Sequence, residues 1–277
     1  MNPGMKIAAL QMVSSTRVAD NLERAGRLIG EAALAGARLV ALPEYFCFMG
    51  RADRDKLEIA EEPGRGPIQD ALAQAARAHR VWVIGGTLPL RSSEPERVLN
   101  ANGVWSPEGT LAARYDKIHL FRYDNGRERY DEGRVLRAGD APVALDVEGW
   151  RVGLSVCYDL RFPELYRALM EPPCDLLSVP SAFTYTTGRA HWELLLRARA
   201  VENQCYVIAP AQGGTHENGR RTWGHSLIVD PWGELLGVRD EGDGIVVAEL
   251  SRERIDDVRR QLPALAHRRR FSAPQLP

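Results

Sequence analysis

The stretch RVGLSVCYDLRFPELYR, Arg151 to Arg167, reads as a buried strand that ends on a cysteine, Cys157. Val152, Leu154 and Val156 alternate with the small residues Gly153 and Ser155, as a strand packed closely on both faces requires. Tyr158-Asp159-Leu160-Arg161 is a tight polar turn, and a helix follows it. Pro163 suits the first turn of that helix, with Glu164 favourable beside the positive end of its dipole. A thiol therefore stands on a sharp turn at the mouth of a rigid strand, where backbone N–H groups can face whatever the sulfur attacks. Taken alone, a free cysteine is more often a buried structural residue. A catalytic reading of Cys157 needs a base and an oxyanion donor from elsewhere in the chain.

Outward from this turn, the pattern is α/β on both sides. Toward the N-terminus, Lys6–Met12 and Leu39–Leu42 are apolar strands. Between them, Asp20 or Asn21 caps a predicted helix that runs to about Ala35, before Gly36. A second helix is predicted over Ile68–His79, then a strand over Val81–Thr87 and strands over Val98–Trp105 and Thr110–Tyr115. Asp116–Gly139 is polar and irregular and reads as a long loop, a feature that is usually functional inside a compact domain. Val143–Val147 precedes the Cys157 strand, and Leu176–Pro180 follows its helix. A long helix is predicted over Arg189–Asn203 with Thr186 or Thr187 as its cap. Strands over Cys205–Ala209, Ser226–Val229 and Ile245–Leu250 come next, and then a helix capped by Ser251. The order is βαβαβ, hairpins, βαβαβ. It favours one α/β domain over residues 1–277, with two sheets between helix layers, a core at about 6–250 and a C-terminal helix and tail over 251–277.

Composition narrows the function. The 277 residues are 44% hydrophobic and 26% charged, ordinary for a globular protein, and can bury roughly 75% of their unfolded surface. A net charge of −1 argues against nucleic acid as a partner, and no apolar run is long enough for a membrane span. The arginines at 197, 199 and 268–270 read as solvated or interfacial charges. The N-terminus lacks the pattern of a secretory signal. The four cysteines, Cys47, Cys157, Cys174 and Cys205, form no CxxC pair and no metal-ligand spacing, which points to reduced thiols in the cytoplasm. No histidine has zinc-ligand spacing with a second histidine or a carboxylate, so no metal is expected.

Several residues stand where chemistry is possible. Glu44 directly follows a buried strand in LVALPEYF, a partly desolvated place for a general base; a helix-start or turn carboxylate is the plainer reading. Lys117, in RYDKIHLF, is also at a strand end and is one of very few lysines in a chain that prefers arginine. Its compact charge could stabilise an oxyanion, against the default of a surface lysine. His119 is the alternative base, in a Cys–His arrangement, though it alternates with Ile118 and Leu120 like a packed loop residue. Phe183, Thr184 and Tyr185 leave a strand on the same presumed sheet edge as Cys157 and could line a pocket.

Together LPEYF, YDKIHLF and SVCYDLRFPELYR resemble the nitrilase, or carbon–nitrogen hydrolase, superfamily, whose triad is Glu–Lys–Cys in that chain order. YDEGRVLRAGD, PSAFTYTTGRAHWELLLRARAVENQCYVIAPAQ and TWGHSLIVDPWGE extend the match to about Lys6–Leu250. The resemblance implies a four-layer αββα sandwich that dimerises or forms a higher homo-oligomer. It implies hydrolysis of small non-peptide amides, more rarely nitriles, without metal or cofactor. By the same resemblance Glu44, Lys117 and Cys157 are the triad, Glu132 is a second active-site glutamate and the Tyr158 N–H an oxyanion donor. GRAHWELLLRARAVENQCYVIAPAQ is most similar to the deaminated glutathione amidase branch, with the omega-amidases beside it; both cleave a γ-amide on a 2-oxo-dicarboxylate skeleton. The competing expectations are a nitrilase or N-carbamoyl amine hydrolase, an acyltransferase, and a non-enzymatic scaffold that has kept the fold.

Overall fold

The structure is a computed structural model that describes residues 4–269. Its first half runs β1 (Met5–Gln11), α1 (Val18–Leu34), β2 (Leu39–Ala41), α2 (Pro67–His79), β3 (Trp82–Ile84), β4 (Leu88–Arg91), β5 (Val98–Trp105), β6 (Leu111–Asp116), β7 (Arg122–Asp124), β8 (Arg129–Asp131) and β9 (Leu136–Arg137). The second half runs β10 (Val143–Val147), β11 (Trp150–Leu154), α3 (Pro163–Ala168), β12 (Leu176–Ser178), α4 (Tyr185–Asn203), β13 (Tyr206–Ala209), β14 (Gly213–Thr215), β15 (Arg221–Trp223), β16 (Ser226–Val229), β17 (Leu235–Arg239), β18 (Gly244–Leu250) and α5 (Arg252–Gln261).

Two large sheets form. The first has the order β18-β1-β2-β3-β5-β4, with β6 and β9 also paired to β5; the second has the order β10-β11-β12-β13-β16-β17. In each, three consecutive strands separated by helices are parallel: β1-β2-β3 and β11-β12-β13. The parallel strands are short and apolar because both their faces are covered. Ile7, Ala9, Leu39, Ala41 and Ile84 face the second sheet and join the cluster that contains Val152, Leu154, Leu176 and Leu177. Ala8, Leu10, Val40 and Val83 point the other way, onto Leu28, Ile29, Leu72 and Ala76 of α1 and α2. On the far side, Trp192, Leu196 and Ala200 of α4 cover the second sheet. The layers are therefore helix, sheet, sheet, helix: the αββα sandwich.

Local structure departs from the sequence reading in three places. α1 begins at Val18 rather than at Asp20 or Asn21. Asn21 is inside the helix and buried, bridging the Ser15 backbone and the Cys47 carbonyl. α4 begins at Tyr185, and its cap is Thr184, whose hydroxyl accepts from the Thr187 N–H; neither Thr186 nor Thr187 caps it. Asp116–Gly139 is not irregular: it holds the β7–β8 hairpin, a 3₁₀ turn at Glu132–Arg134 and β9. The turn at Pro231–Glu234 joins β16 to β17, while β18 crosses to the other sheet and pairs antiparallel with β1 from Met5↔Leu250 to Gln11↔Gly244. Of the basic cluster at 268–270, position 270 lies outside the described residues, as does the chain beyond it.

Candidate active site

Cys157 follows β11 and opens a 3₁₀ turn, Cys157–Arg161, that leads into α3 with Pro163 in its first turn. Its φ of +50° lies in the left-handed region, which a residue with a side chain occupies only when the surroundings hold it there. Those surroundings are specific. The Cys157 N–H donates to the Pro180 carbonyl. The fully buried Asp159 carboxylate accepts from the Val156 N–H at 2.8 Å, the Tyr115 hydroxyl at 2.7 Å and the His119 N–H at 3.0 Å. The buried Arg199 guanidinium on α4 donates to the Leu160 carbonyl from Nη2 at 2.8 Å. The turn is thus fastened from the first sheet, from the loop after β6 and from α4.

Glu44 is delivered by the end of β2. The chain leaves that strand through Leu42 and Pro43, and a Cβ on Gly86 would lie 2.1 Å from the Pro43 carbonyl oxygen, so only glycine fits there. The Glu44 side chain is 1% exposed. Its Oε1 accepts from Lys117 Nζ at 2.9 Å and from Asn100 Nδ2 at 2.8 Å. Its Oε2 accepts from the Ala182 N–H at 3.0 Å. Lys117, just beyond β6, is 0% exposed and also donates to Glu132 Oε2 at 2.8 Å. Glu132 is held in turn by the Phe121 N–H at 2.7 Å and the Tyr45 hydroxyl at 2.8 Å.

The charges shape one another. Burial alone would lower the Lys117 ammonium, but Glu132 and Glu44 outweigh it and hold the lysine well above its ordinary value. Burial likewise opposes ionisation of Glu132, yet Lys117 and the two donors keep its carboxyl below the usual range. The Cys157 thiol is pushed well up, by burial first and Glu44 second, with Lys117 acting the other way. At rest the sulfur is therefore protonated.

Cys157, Glu44, Glu132, Tyr158, Phe183 and Thr184 line one pocket. The Lys117 ammonium lies between two of these, the Glu44 and Glu132 carboxylates. Tyr185 points elsewhere: its ring meets Trp223 edge-on and the Arg221 guanidinium lies over it. His119 is committed to Asp159, with Nδ1 2.7 Å from Oδ1, and stacks on Phe162. Among the described residues, no group of three His, Cys, Asp or Glu side chains is arranged to hold a metal ion, and no helix is long and apolar enough to cross a membrane. The pocket also includes Thr187, from the loop that carries Phe183 and Thr184, and three residues the sequence reading gave no site role: Phe121, Arg161 and Arg220. Asn100 was invisible as well, because a polar residue on a buried strand shows its partner only when the sheets are assembled.

The carbon-nitrogen hydrolase family profile matches residues 6–260. A deaminated glutathione amidase of Synechocystis is 41% identical over 265 residues, covering 94% of this chain and 97% of that protein. An omega-amidase of Homo sapiens is 37% identical over 265 residues, covering 95% of each. Among solved structures, the C. elegans NitFhit protein superposes with a TM-score of 0.88 at 36% identity, over 97% of this chain and 66% of that longer one. Fold and sequence agree: this chain belongs to the carbon–nitrogen hydrolase family, and it is an amide-hydrolysing enzyme.

Proposed function

We propose that the chain, acting as one hydrolase domain, cleaves the γ-amide of a small carboxylated substrate through a thioester on Cys157, with no metal or cofactor. The carrying observation is the 2.9 Å bond between Glu44 and Lys117, both buried, in the wall of the pocket that contains Cys157. As the amide carbonyl arrives, Glu44 takes the Cys157 proton and the sulfur bonds to the carbonyl carbon. Glu44 shares the pocket wall with the thiol it is to deprotonate. The oxyanion that forms is met by Lys117 and by the Tyr158 N–H, which lies between two backbone N–H groups already engaged with Pro180 and Val156. Glu44 then passes its proton to the leaving nitrogen and the C–N bond breaks. Water, deprotonated by Glu44, attacks the thioester; the acid leaves and the thiol regains its proton. Glu132 positions Lys117. Phe183 and Thr184 line the acyl pocket, and Arg161, which has no carboxylate partner among the described residues, suits an acyl carboxylate.

The substrate we assign is deaminated glutathione, giving 2-oxoglutarate and Cys-Gly, with 2-oxo acid amides as the alternative; the relatives bear both names. The enzyme works in the cytoplasm, where its four buried cysteines stay free thiols. It is a homodimer through the apolar groove along α4, which includes the exposed Leu194, Val201, Trp232 and Val238.

The test is to trap the acyl-enzyme with either substrate and locate it by mass spectrometry. The expected adduct is on Cys157, and an adduct on Cys47, Cys174 or Cys205 with Cys157 free would sink the assignment. Glu44→Gln and Lys117→Ala should each abolish turnover; full activity in either removes that residue from the mechanism.

A further inference from the structure

The pocket around Cys157 is narrow, with about 10 Å³ of free room, well below the volume of an ordinary ligand site. A more open cleft of about 430 Å³ adjoins it. Arg220 lines both and is the residue they share. The cleft is electropositive: its lining includes Arg51, Lys56, Arg129 and Arg220 against one carboxylate, Asp53. Three of these cations have acidic neighbours: Arg51 with Glu217, Lys56 with Asp53 and Arg129 with Asp124. Arg220 has none among the described residues. It lies over the Tyr130 ring, its Nη2 donates to the Ala182 carbonyl at 3.1 Å, and its Nε is buried with no partner at all. An uncompensated guanidinium at the junction of two cavities is a place for an anion that arrives with a ligand.

Its position says which part of the ligand. The Ala182 main chain joins Arg220 to Glu44: its carbonyl takes the Arg220 bond and its N–H binds Glu44 Oε2 at 3.0 Å. Glu44 is the group that protonates the departing nitrogen, so the amine portion leaves on the side of Glu44 and Arg220. Arg161 and Phe183, assigned above to the acyl portion, line the pocket and not the cleft. The Arg220 loop is braced for this role by Asn218, which donates to the Gly50 carbonyl across the cleft.

We propose that the cleft beyond Arg220 is a leaving-group subsite that recognises a carboxylate on the amine half of the substrate, with Arg220 as the specificity-determining residue. The enzyme then favours N-substituted amides with an anionic amine portion over those with a neutral one. The inference rests on the amidase reading and deepens it.

The experiment compares two γ-amides of 2-oxoglutarate that differ only at the far end of the leaving group, one made with cysteinylglycine and one with cysteinylglycinamide. Wild-type enzyme is expected to prefer the acid by about 10- to 100-fold in kcat/KM, the range a charge-assisted hydrogen bond supplies, expressed mainly in KM. Arg220→Gln collapses that ratio to near one, and Arg220→Lys keeps part of it. A wild-type ratio near one, or an undiminished ratio in Arg220→Gln, overturns the proposal. The wild-type comparison decides even where a variant fails to fold. Failure of the amidase reading would show separately, as turnover of neither compound. In that case calorimetry on Cys157→Ala protein with the two free dipeptides decides the subsite: tighter binding of the acid by tenfold or more supports it, and equal affinity refutes it.

Discussion

Lys117 is a charged group with no access to water, flanked by the Glu44 carboxylate, which has almost none, and by that of Glu132, which is 14% exposed. Such a cluster holds together only while every member is present. Removing the ammonium leaves Glu44 and Glu132 buried without their cation, at a cost of about 3–5 kcal/mol. Lys117→Ala therefore loses stability along with turnover, and its melting temperature belongs beside its rate. His216 is a second buried titrating group, in the loop before Arg220. It is 3% exposed, its Nδ1–H donates to the Ser14 carbonyl, and Nε2 accepts from the Thr222 hydroxyl. Burial depresses its imidazolium to about pKa 4, from 6.5. Between those values the unfolded chain holds a proton that the folded one refuses, so stability falls as pH falls through this window. The deficit of His216→Gln relative to wild type should thus shrink by about 2 kcal/mol between pH 7 and about pH 4.5 in denaturant titrations. An unchanged deficit would show that His216 is not held neutral.

At the scale of elements, the site depends on how α4 seats. Its first turn carries Thr184 and Thr187 into the pocket wall, and further along Arg199 grips the Cys157 turn. Gly188 permits this: a Cβ there would stand 2.3 Å from Cβ of Trp223 on β15, whose own ring stacks on His225 at 4.0 Å. Gly188→Ala must push the helix off that strand. Overpacking of this kind costs about 1–3 kcal/mol. We expect a lowered unfolding midpoint together with a raised KM, read from denaturation and steady-state kinetics on the same preparation. A changed midpoint with an unchanged KM would mean that the pocket wall is set independently of β15.

For the whole molecule, two parallel βαβαβ halves face each other, and the side chains at issue come from strand ends and loops of both. Glu44 leaves β2 of the first sheet, Cys157 leaves β11 of the second, and Ala182 from beyond β12 ties Glu44 across the gap. The outer face of α4 is a different matter. Leu194 is 68% exposed and Trp232 50%, although Leu196, two residues on and facing the other way, is fully buried. Exposed apolar area of that kind is what the proposed dimer would cover. Leu194→Asp should convert the proposed homodimer to a monomer in sedimentation velocity, and wild-type protein that already sediments as a monomer would refute the dimer.

The sequence alone determined the alternation of strands and helices, because burial on both faces forces unbroken apolar runs such as KIAALQM and LVAL, and because Pro163 and Ser251 mark helix starts through local backbone chemistry. It also singled out Glu44, Lys117 and Cys157, though only through the resemblance of their three motifs taken together, since each segment alone favoured a plainer reading. Only the tertiary structure decided which polar groups meet. Asn100 and Ala182 on Glu44, Asp159 and Arg199 under the Cys157 turn, and Arg220 between two cavities are contacts between residues tens of positions apart. It also turned Tyr185 away from the pocket and bound His119 to Asp159. The physical reason is range: hydrophobic periodicity and capping are local and written in neighbouring residues, whereas a hydrogen bond across the sandwich exists only once two sheets have packed.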